Sequence, residues 1–372
     1  MQKTTHLRLV SLIVLVYLFL VAIKLMGDAF HLLGHDFAVS LIGWTSNPFL
    51  GLLIGIVATA IIQSSSVTTS VVVGLVSAGG LTVGNAIPIV MGANIGTTIT
   101  NVLVSLGYLR NNVEFRRAFA AATIHDIFNV LCVLVFLPLE LAFGCFETLA
   151  TSLASLLYGS AGMSYQGPIQ FLVKPLTKGL EGVVRSFLGC TDRSAGLVLL
   201  GLAFLLIIMA LGAMVKLSRS MMVERIEQFF DRILSFNASV TILIGVLVTA
   251  LVQSSSITTS LLVPMAGAGI LTLEHVFPIT LGANLGTTVT ALLAALAGNV
   301  HGLAIALVHF LFNLSGIVII YPLPAVRRLP LYLAKRVAEF STEHKKWAII
   351  MILAFYFGLP LALLGVYELF AG

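Results

Sequence analysis

The chain has 372 residues, of which 59% are hydrophobic and only 9% charged, with a mean hydropathy of +1.08 and a formal net charge of +5. A soluble domain carries about 25% charged residues, so this composition cannot cover itself in water. A soluble fold is excluded, and with it the nucleic-acid partner that a pI of about 9.2 would otherwise suggest. The chain reads as a polytopic membrane protein whose basic residues belong to its loops.

Lys3 and Arg8 precede the first apolar run. Residues 9–30 predict a spanning helix, retained rather than cleaved, because no small-residue processing site follows Leu9 to Ile23. Lys24, Asp28, His31, His35 and Asp36 mark its interfacial end, where long side chains snorkel. No charged side chain occurs from Pro48 to Leu109. Within that stretch Phe49 to Ile62 is apolar but about 14 residues long, too short to cross. A polar octet, Gln63 to Ser70, and a still shorter apolar arm follow. Two short arms around a polar tip predict a re-entrant hairpin over 49–80, because irregular backbone survives at membrane depth only under protein or beside water. Pro88, Gly92 and Gly96 predict an interrupted helix over 83–109. After a loop holding Arg110, Arg116 and Arg117, a helix is expected over 118–143, with His125, Asp126 and Asn129 within one turn. His125 and Asp126 read as an ion-paired structural couple rather than a relay.

Residues 144–195 are broken by Gly and Pro and hold Cys145 and Cys190. Lys174, Lys178 and Arg185 in this segment have the spacing of an amphipathic interfacial helix. A helix over 196–215 and a charged stretch over 216–231 lead to a second hairpin (238–270). A second interrupted helix (273–296), a helix over 301–322, a basic loop (327–346) and a last span (347–372) complete the chain.

The second hairpin repeats the first. Gln63-Ser-Ser-Ser-Val-Thr-Thr-Ser70 returns as Gln253-Ser-Ser-Ser-Ile-Thr-Thr-Ser260, and Gly92-Ala-Asn-Ile-Gly-Thr-Thr98 as Gly282-Ala-Asn-Leu-Gly-Thr-Thr288. Residues 55–100 and 245–290 agree at 24 of 46 positions without a gap, and most mismatches exchange apolar residues. His309 and Asn313 correspond to His125 and Asn129, with Phe310 in place of the acid. Three crossings separate the hairpins, an odd number, so the second must enter from the opposite face. The expected fold is therefore an all-α polytopic membrane protein of two inverted-topology repeats, each with a re-entrant hairpin and an interrupted transmembrane helix. Repeat 1 covers 1–143, an extracellular or periplasmic segment 144–195, and repeat 2 196–326. With the N-terminus cytoplasmic, the inner segments 1–8, 110–117, 216–236 and 327–346 hold 15 of the 20 Lys and Arg, which sets the orientation in the inner (plasma) membrane. Cys145 and Cys190 then lie outside, where a disulfide is chemically permitted. Cys132 reads as helix packing.

Glycines four apart, as at Gly92/Gly96 and Gly282/Gly286, are read as helix-packing positions. The full polar set demands more, since each unpaired hydroxyl or amide in hydrocarbon costs about 1–3 kcal/mol or more. A bound solute answers that demand. Hydroxyls and half-helix N-termini favour an anion, whereas exposed carbonyls and threonine oxygens suit Na⁺. Neither polar word contains Lys or Arg, so an anion must bring its countercharge with it, and cation-coupled symport follows. A passive channel fits two opposed hairpins less well, and no Gly-x-Ser-x-Gly elbow surrounds either serine run, so an intramembrane hydrolase, or any enzyme, is not expected.

These paired words, with Glu114-Phe-Arg-Arg-Ala-Phe119 leading to Thr123-Ile-His-Asp126, resemble the type II sodium-dependent phosphate cotransporter family over roughly residues 10–325. The resemblance implies sodium-driven phosphate uptake by an elevator-like alternation of access; the alternative reading is a sodium- or proton-coupled transporter of another small anion, sulfate or a dicarboxylate. It implies a phosphate site at Gln63, Ser64, Ser65, Ser66, Gln253, Ser254, Ser255 and Ser256, to which Asn94 and Asn284 are added. It also implies a sodium site at Gln253, Ser254, Thr287 and Thr290. Thr97 and Thr100 are the symmetry mates of the last two, and Thr98 and Thr288 adjoin them. The cysteine pair matches the family's disulfide. Inorganic phosphate, co-transported sodium and the lipid bilayer are the implied partners, no organic cofactor is expected, and a homodimer is left open. Two departures matter. Animal relatives often have Ser where Ala93 and Ala283 stand, and electrogenic members carry Asp where Asn111 stands, which leaves ion count and electrogenicity open.

Overall fold

The computed structural model describes residues 2–159, 168–188, 192–233, 237–346, 350 and 354–358. Every regular element among them is helical. Among the described residues, six helices are long and apolar enough to span a bilayer: His6–Leu33, Val83–Tyr108, Asn112–Phe143, Asp192–Met221, Leu273–Ala295 and Val300–Ile320. Asp36–Gly43 and Pro48–Ile62 meet at 96° and, counted together, make a seventh. On the spanning helices Ile13, Leu134 and Met209 are exposed, as apolar side chains are where the solvent is hydrocarbon.

In chain order the first elements are α1 (Gln2–Leu33), α2 (His35–Trp44), α3 (Pro48–Ile62) and α4 (Ser65–Ser77). The α3 start is built by Asn47, whose side chain accepts from the amides of Phe49 and Leu50, with Pro48 in the first turn. It stops at Gln63, which adopts the left-handed conformation (φ 57°), and Ser64 then caps α4 by accepting from the Val67 amide. The Thr59 hydroxyl donates to that of Thr68 at 2.9 Å. Nine residues of continuous helix would separate them by about 13.5 Å, so the chain has doubled back.

Helices α5 (Val83–Gly96) and α6 (Ile99–Ser105) follow, then α7 (Asn112–Phe143), α8 (Cys145–Gly159), α9 (Pro168–Leu188) and α10 (Asp192–Ile233). The next pair, α11 (Ala238–Val252) and α12 (Ser255–Gly267), reproduces the construction of α3 and α4. Asn237 caps α11, Gln253 ends it at φ 61°, Ser254 caps α12, and Thr249 donates to Thr258 at 2.9 Å. Among the described residues, Gln63 and Gln253 are the only non-glycine residues with positive φ. Such a backbone costs on the order of 1–3 kcal/mol and persists where surrounding structure imposes it. The chain continues through α13 (Leu273–Ala295), α14 (Val300–Ile320) and α15 (Pro324–Glu343).

Glycine sets how closely these helices approach. Helix α3 packs on α5 and α11 on α13. A Cβ on Gly92 would sit 2.0 Å from the Leu52 carbonyl oxygen, and one on Gly282 2.0 Å from that of Ile242. Gly96 and Gly286 are similarly blocked, by the Ile56 and Val246 carbonyls. The packing role read from the glycine spacing is what the structure contains.

Four expectations need correction. Helix α7 begins at Asn112 rather than near 118, because the Asn111 side chain accepts from the Val113 and Glu114 amides, so Arg116 and Arg117 are helical. The helix expected to end near 215 continues as α10 to Ile233. The basic stretch 327–346 is mostly helix α15, with Ala334 and Ala338 buried on one face and its charges on the other. Finally, only one of the two glycine-rich spans is interrupted. Thr98 reaches out to pair with His125 Nδ1 at 2.7 Å, and its amide bonds back to Ile95 in a tightened turn between α5 and α6. Thr288 instead donates to the Leu285 carbonyl of its own helix at 2.7 Å, and α13 runs unbroken.

In the segment after α7, Val173 and Thr177 of α9 are buried while Lys178 and Arg185 are exposed, Arg185 pairing with Glu181 and Asp192. That is the amphipathic helix the spacing predicts. Cys132 is buried in α7 with a free thiol. No disulfide forms among the described residues: Cys145 is exposed and free, and Cys190 lies outside them. Of the last expected span, only residue 350 and residues 354–358 fall within the description.

Candidate solute-binding site

The two strained tips meet. The Ser66 hydroxyl donates to the Gln253 carbonyl at 3.3 Å, a contact between residues 187 positions apart. Ser65, Ser66, Ser255 and Ser256 are buried, and Ser64 and Ser254 are committed as caps. Most of the neighbouring hydroxyls bond backward to their own helices. Thr69 and Thr259 donate to Ser65 and Ser255 carbonyls at 2.8 Å, and Ser70 donates to Ser66 at 2.6 Å. First-turn amides of α4 and α12 have no intrahelical acceptors, and the partial positive ends of both helix dipoles lie at the tips. The arrangement presents donors to an anion without a formal charge.

The sodium candidates divide. Gln253 is buried, its Oε1 accepts from the Thr290 hydroxyl at 2.9 Å, and its amide nitrogen donates to the Ala250 carbonyl. Oxygens of Gln253 and Thr290 are thus brought together beside the Ser254 cap. Thr287 turns to the Ala283 carbonyl at 3.0 Å, as Thr97 turns to Ala93 at 2.9 Å. In the first half the glutamine–threonine contact is missing: Gln63 is exposed and Thr100 Oγ1 is buried without a partner. The same sequence therefore stands in two states, closed over the threonine at Gln253 and open at Gln63.

Beside the tips lies an uncharged lattice of amides and imidazoles, with all six side chains buried. Asn94 donates to Asn313 Oδ1 at 2.9 Å and pairs through Oδ1 with His309 Nε2 at 3.0 Å. Asn284 donates to Asn129 Oδ1 at 2.8 Å and to Asn313 Oδ1 at 3.2 Å, and pairs through Oδ1 with His125 Nε2 at 3.2 Å. Asn129 and Asn313 also reach the backbone carbonyls of Asn94 and Asn284. Asn94 and Asn284 thus spend their amides joining α5 and α13 to α7 and α14. His125 and Asp126 do not pair with each other. His125 contacts Asn284 and Thr98, whereas Asp126 receives the Tyr356 hydroxyl and leaves its Oδ1 unpartnered.

Two contacts were absent from the sequence reading. Asn101 and Thr259 bond reciprocally, at 2.8 and 3.1 Å, and tie α6 to α12. Tyr356 reaches Asp126 from the C-terminal part of the chain. A search guided by the repeat passes over Asn101 because Ala291 occupies the matching position. Asn111 is exposed, caps α7 and donates to Glu114 at 2.7 Å.

A multi-pass helical membrane protein, with a buried, uncharged, donor-rich site at the junction of two similar chain segments, has the makings of a solute transporter. Residues 18–164 and 204–362 match the family model described as Na+/Pi-cotransporter, and the chain belongs to that family, which is one of transporters and not of enzymes. It is 33% identical to sodium-dependent phosphate transport protein 2B of Homo sapiens, over 96% of this chain and 65% of that protein. The same identity and coverage hold for the 2B protein of Pongo abelii. It is 32% identical to sodium-dependent phosphate transport protein 2A of Rattus norvegicus, over 94% of this chain and 66% of the relative. The chain thus spans just under two thirds of the length of these relatives. No solved structure gives a significant match.

Proposed function

We propose that this protein is a secondary active symporter that uses the inward sodium gradient to take up inorganic phosphate. The carrying observation is the contact of the two strained glutamine-serine tips, one closed over Thr290 and the other open, in a chain of the Na+/Pi-cotransporter family. The phosphate meets hydroxyls and first-turn amides at Gln63 to Ser66 and Gln253 to Ser256. Sodium is held by oxygens of Gln253, Ser254 and Thr290, with Thr287 one turn away. An unpaired multivalent anion in a medium of low dielectric faces a penalty of tens of kcal/mol, so the neutrality of the site makes cation coupling a physical requirement. Asn94 and Asn284 serve this reading as the frame that holds α5 and α13 behind the tips.

The domain scheme belongs to the same proposal. Residues 1–143 and 196–326 form two inverted-topology repeats whose re-entrant tips meet from opposite faces, and 144–195 lies outside the cell. The N-terminus is cytoplasmic and the membrane is the inner (plasma) membrane. An elevator-like movement exposes the tips alternately, and the unequal states of Gln63 and Gln253 support it. The test is radiolabelled phosphate uptake into proteoliposomes under a sodium gradient, against potassium and choline, with sulfate and succinate as competitors. Sodium-dependent uptake that neither competitor reduces is expected. Uptake indifferent to sodium, or displaced by sulfate, would overturn the assignment.

A further inference from the structure

A second polar feature lies away from the tips, at the end of the molecule where α7 and α13 begin and α12 finishes. There a cavity of about 350 Å³ is lined by Arg116, Arg117, Gly269, Thr272, Lys335 and Glu339, among others. That volume falls within the range of small-ligand sites. Its acids are occupied: Glu274 pairs with Lys335 at 2.7 Å and Glu339 with Arg336 at 3.6 Å. Arg116 and Arg117 are exposed and have no acidic partner among the described residues. Two adjacent guanidiniums thus stand over the cavity as uncompensated charge. Arg117 is held near the turn at Gly269, whose φ of 79° requires glycine, and a Cβ there would lie 2.5 Å from Nη1.

The wall formed by α15 identifies the surroundings. Its small face, Ala334, Ala338 and Ser341, is buried, and the helix packs mainly against α7. Leu329, Tyr332 and Phe340 are exposed beside Lys335 and Arg336. A helix with exposed apolar and basic residues, packed beside the starts of α7 and α13, belongs at the level of lipid headgroups. Basic pockets between helix ends at that depth suit acidic lipid headgroups, and the planar guanidinium matches two phosphate oxygens at once.

We propose that this cavity binds the headgroup of an anionic phospholipid, with its phosphodiester held by Arg116 and Arg117. The lipid would fill a space bounded by α7, by the α12–α13 turn and by α15, joining parts of the chain that are distant in sequence. Binding is read on the purified full-length protein in detergent, by thermal unfolding with short-chain phosphatidylglycerol, phosphatidylcholine of the same chain length, or inorganic phosphate. Phosphatidylglycerol raises the midpoint in a saturable way and phosphatidylcholine does not. The apparent affinity falls at least tenfold in Arg116→Gln and in Arg117→Gln, each measured alone because loss of one exposed side chain leaves the core untouched. Replacement by lysine, which keeps the charge but loses the paired donors, gives an affinity between those of the arginine and glutamine forms. Equal stabilisation by both lipids, or an unchanged phosphatidylglycerol response in both glutamine variants, would overturn the proposal. Displacement of phosphatidylglycerol by millimolar inorganic phosphate would also overturn it, by marking a free-phosphate site. The readout does not involve transport, so it stands or falls separately from the proposed symport.

Discussion

Gly92 offers the sharpest test of how the helices behind the site are held. In Gly92→Ala the new Cβ would lie 2.0 Å from the Leu52 carbonyl oxygen, 2.9 Å from its carbon and 3.0 Å from the Ile56 nitrogen. All three are backbone atoms, so no side chain can turn aside. Relief requires α3 and α5 to part by roughly 1 Å, and the contacts at Gly55 and Gly96, made through the Ile89 and Ile56 carbonyls, would open with them. Overpacking of this kind costs about 3 kcal/mol, against about 1 kcal/mol gained from alanine's helix propensity. The net loss is about 2 kcal/mol. Gly212 in α10 has nothing within 4 Å of a built Cβ, so Gly212→Ala keeps only the gain. Thermal unfolding of the two variants in detergent should therefore shift in opposite directions, with Gly282→Ala following Gly92→Ala because its Cβ meets the Ile242 carbonyl at the same 2.0 Å. If Gly92→Ala unfolds together with Gly212→Ala, glycine is not setting the approach of α3 to α5.

At the candidate sodium site, Gln253→Ala and Thr290→Val each remove one side of the 2.9 Å bond. Each should raise the sodium concentration for half-maximal uptake about tenfold, equivalent to about 1.4 kcal/mol; an unchanged sodium dependence in both would remove these residues from the site. In the amide lattice, a double-mutant cycle between Asn284→Ala and Asn129→Ala, joined at 2.8 Å, should give a coupling energy between about 0.6 and 1.7 kcal/mol, the mean and the maximum found by such cycles for hydrogen bonds between membrane helices. Strict additivity would show that this contact contributes nothing to holding α13 against α7.

The tips were legible because their breaks are written in local chemistry. Asn47-Pro48 starts α3, and the Gln63-Ser64 junction ends one helix and caps the next, with Asn237 and Gln253-Ser254 doing the same in α11 and α12. Repetition then distinguished a recurring construction from chance. The cross-pairing of Asn94 with His309 and of Asn284 with His125 could not be read in the same way, because it depends on which helices approach each other. The difference between α5–α6 and α13 was hidden for a related reason. Both contain an internal proline, Pro88 or Pro278, yet the interruption follows from where the Thr98 hydroxyl points. Charge density misled at α15, since a run rich in Arg and Lys describes a loop or one face of a helix equally well. The burial of Ala334 and Ala338, four residues apart, decides for the helix.

The amide lattice has a consequence for how such a chain can evolve. Asn94 bonds through its side chain to His309 and Asn313, and Asn284 to His125 and Asn129, so each sequence copy holds much of what satisfies the other. Exposed apolar positions of the two segments carry no such dependence, whereas these six do. A change of donor or acceptor in one copy leaves a buried group stranded in its twin and demands a matching change there. The polar positions of the two segments are thus tied to one another by mutual dependence.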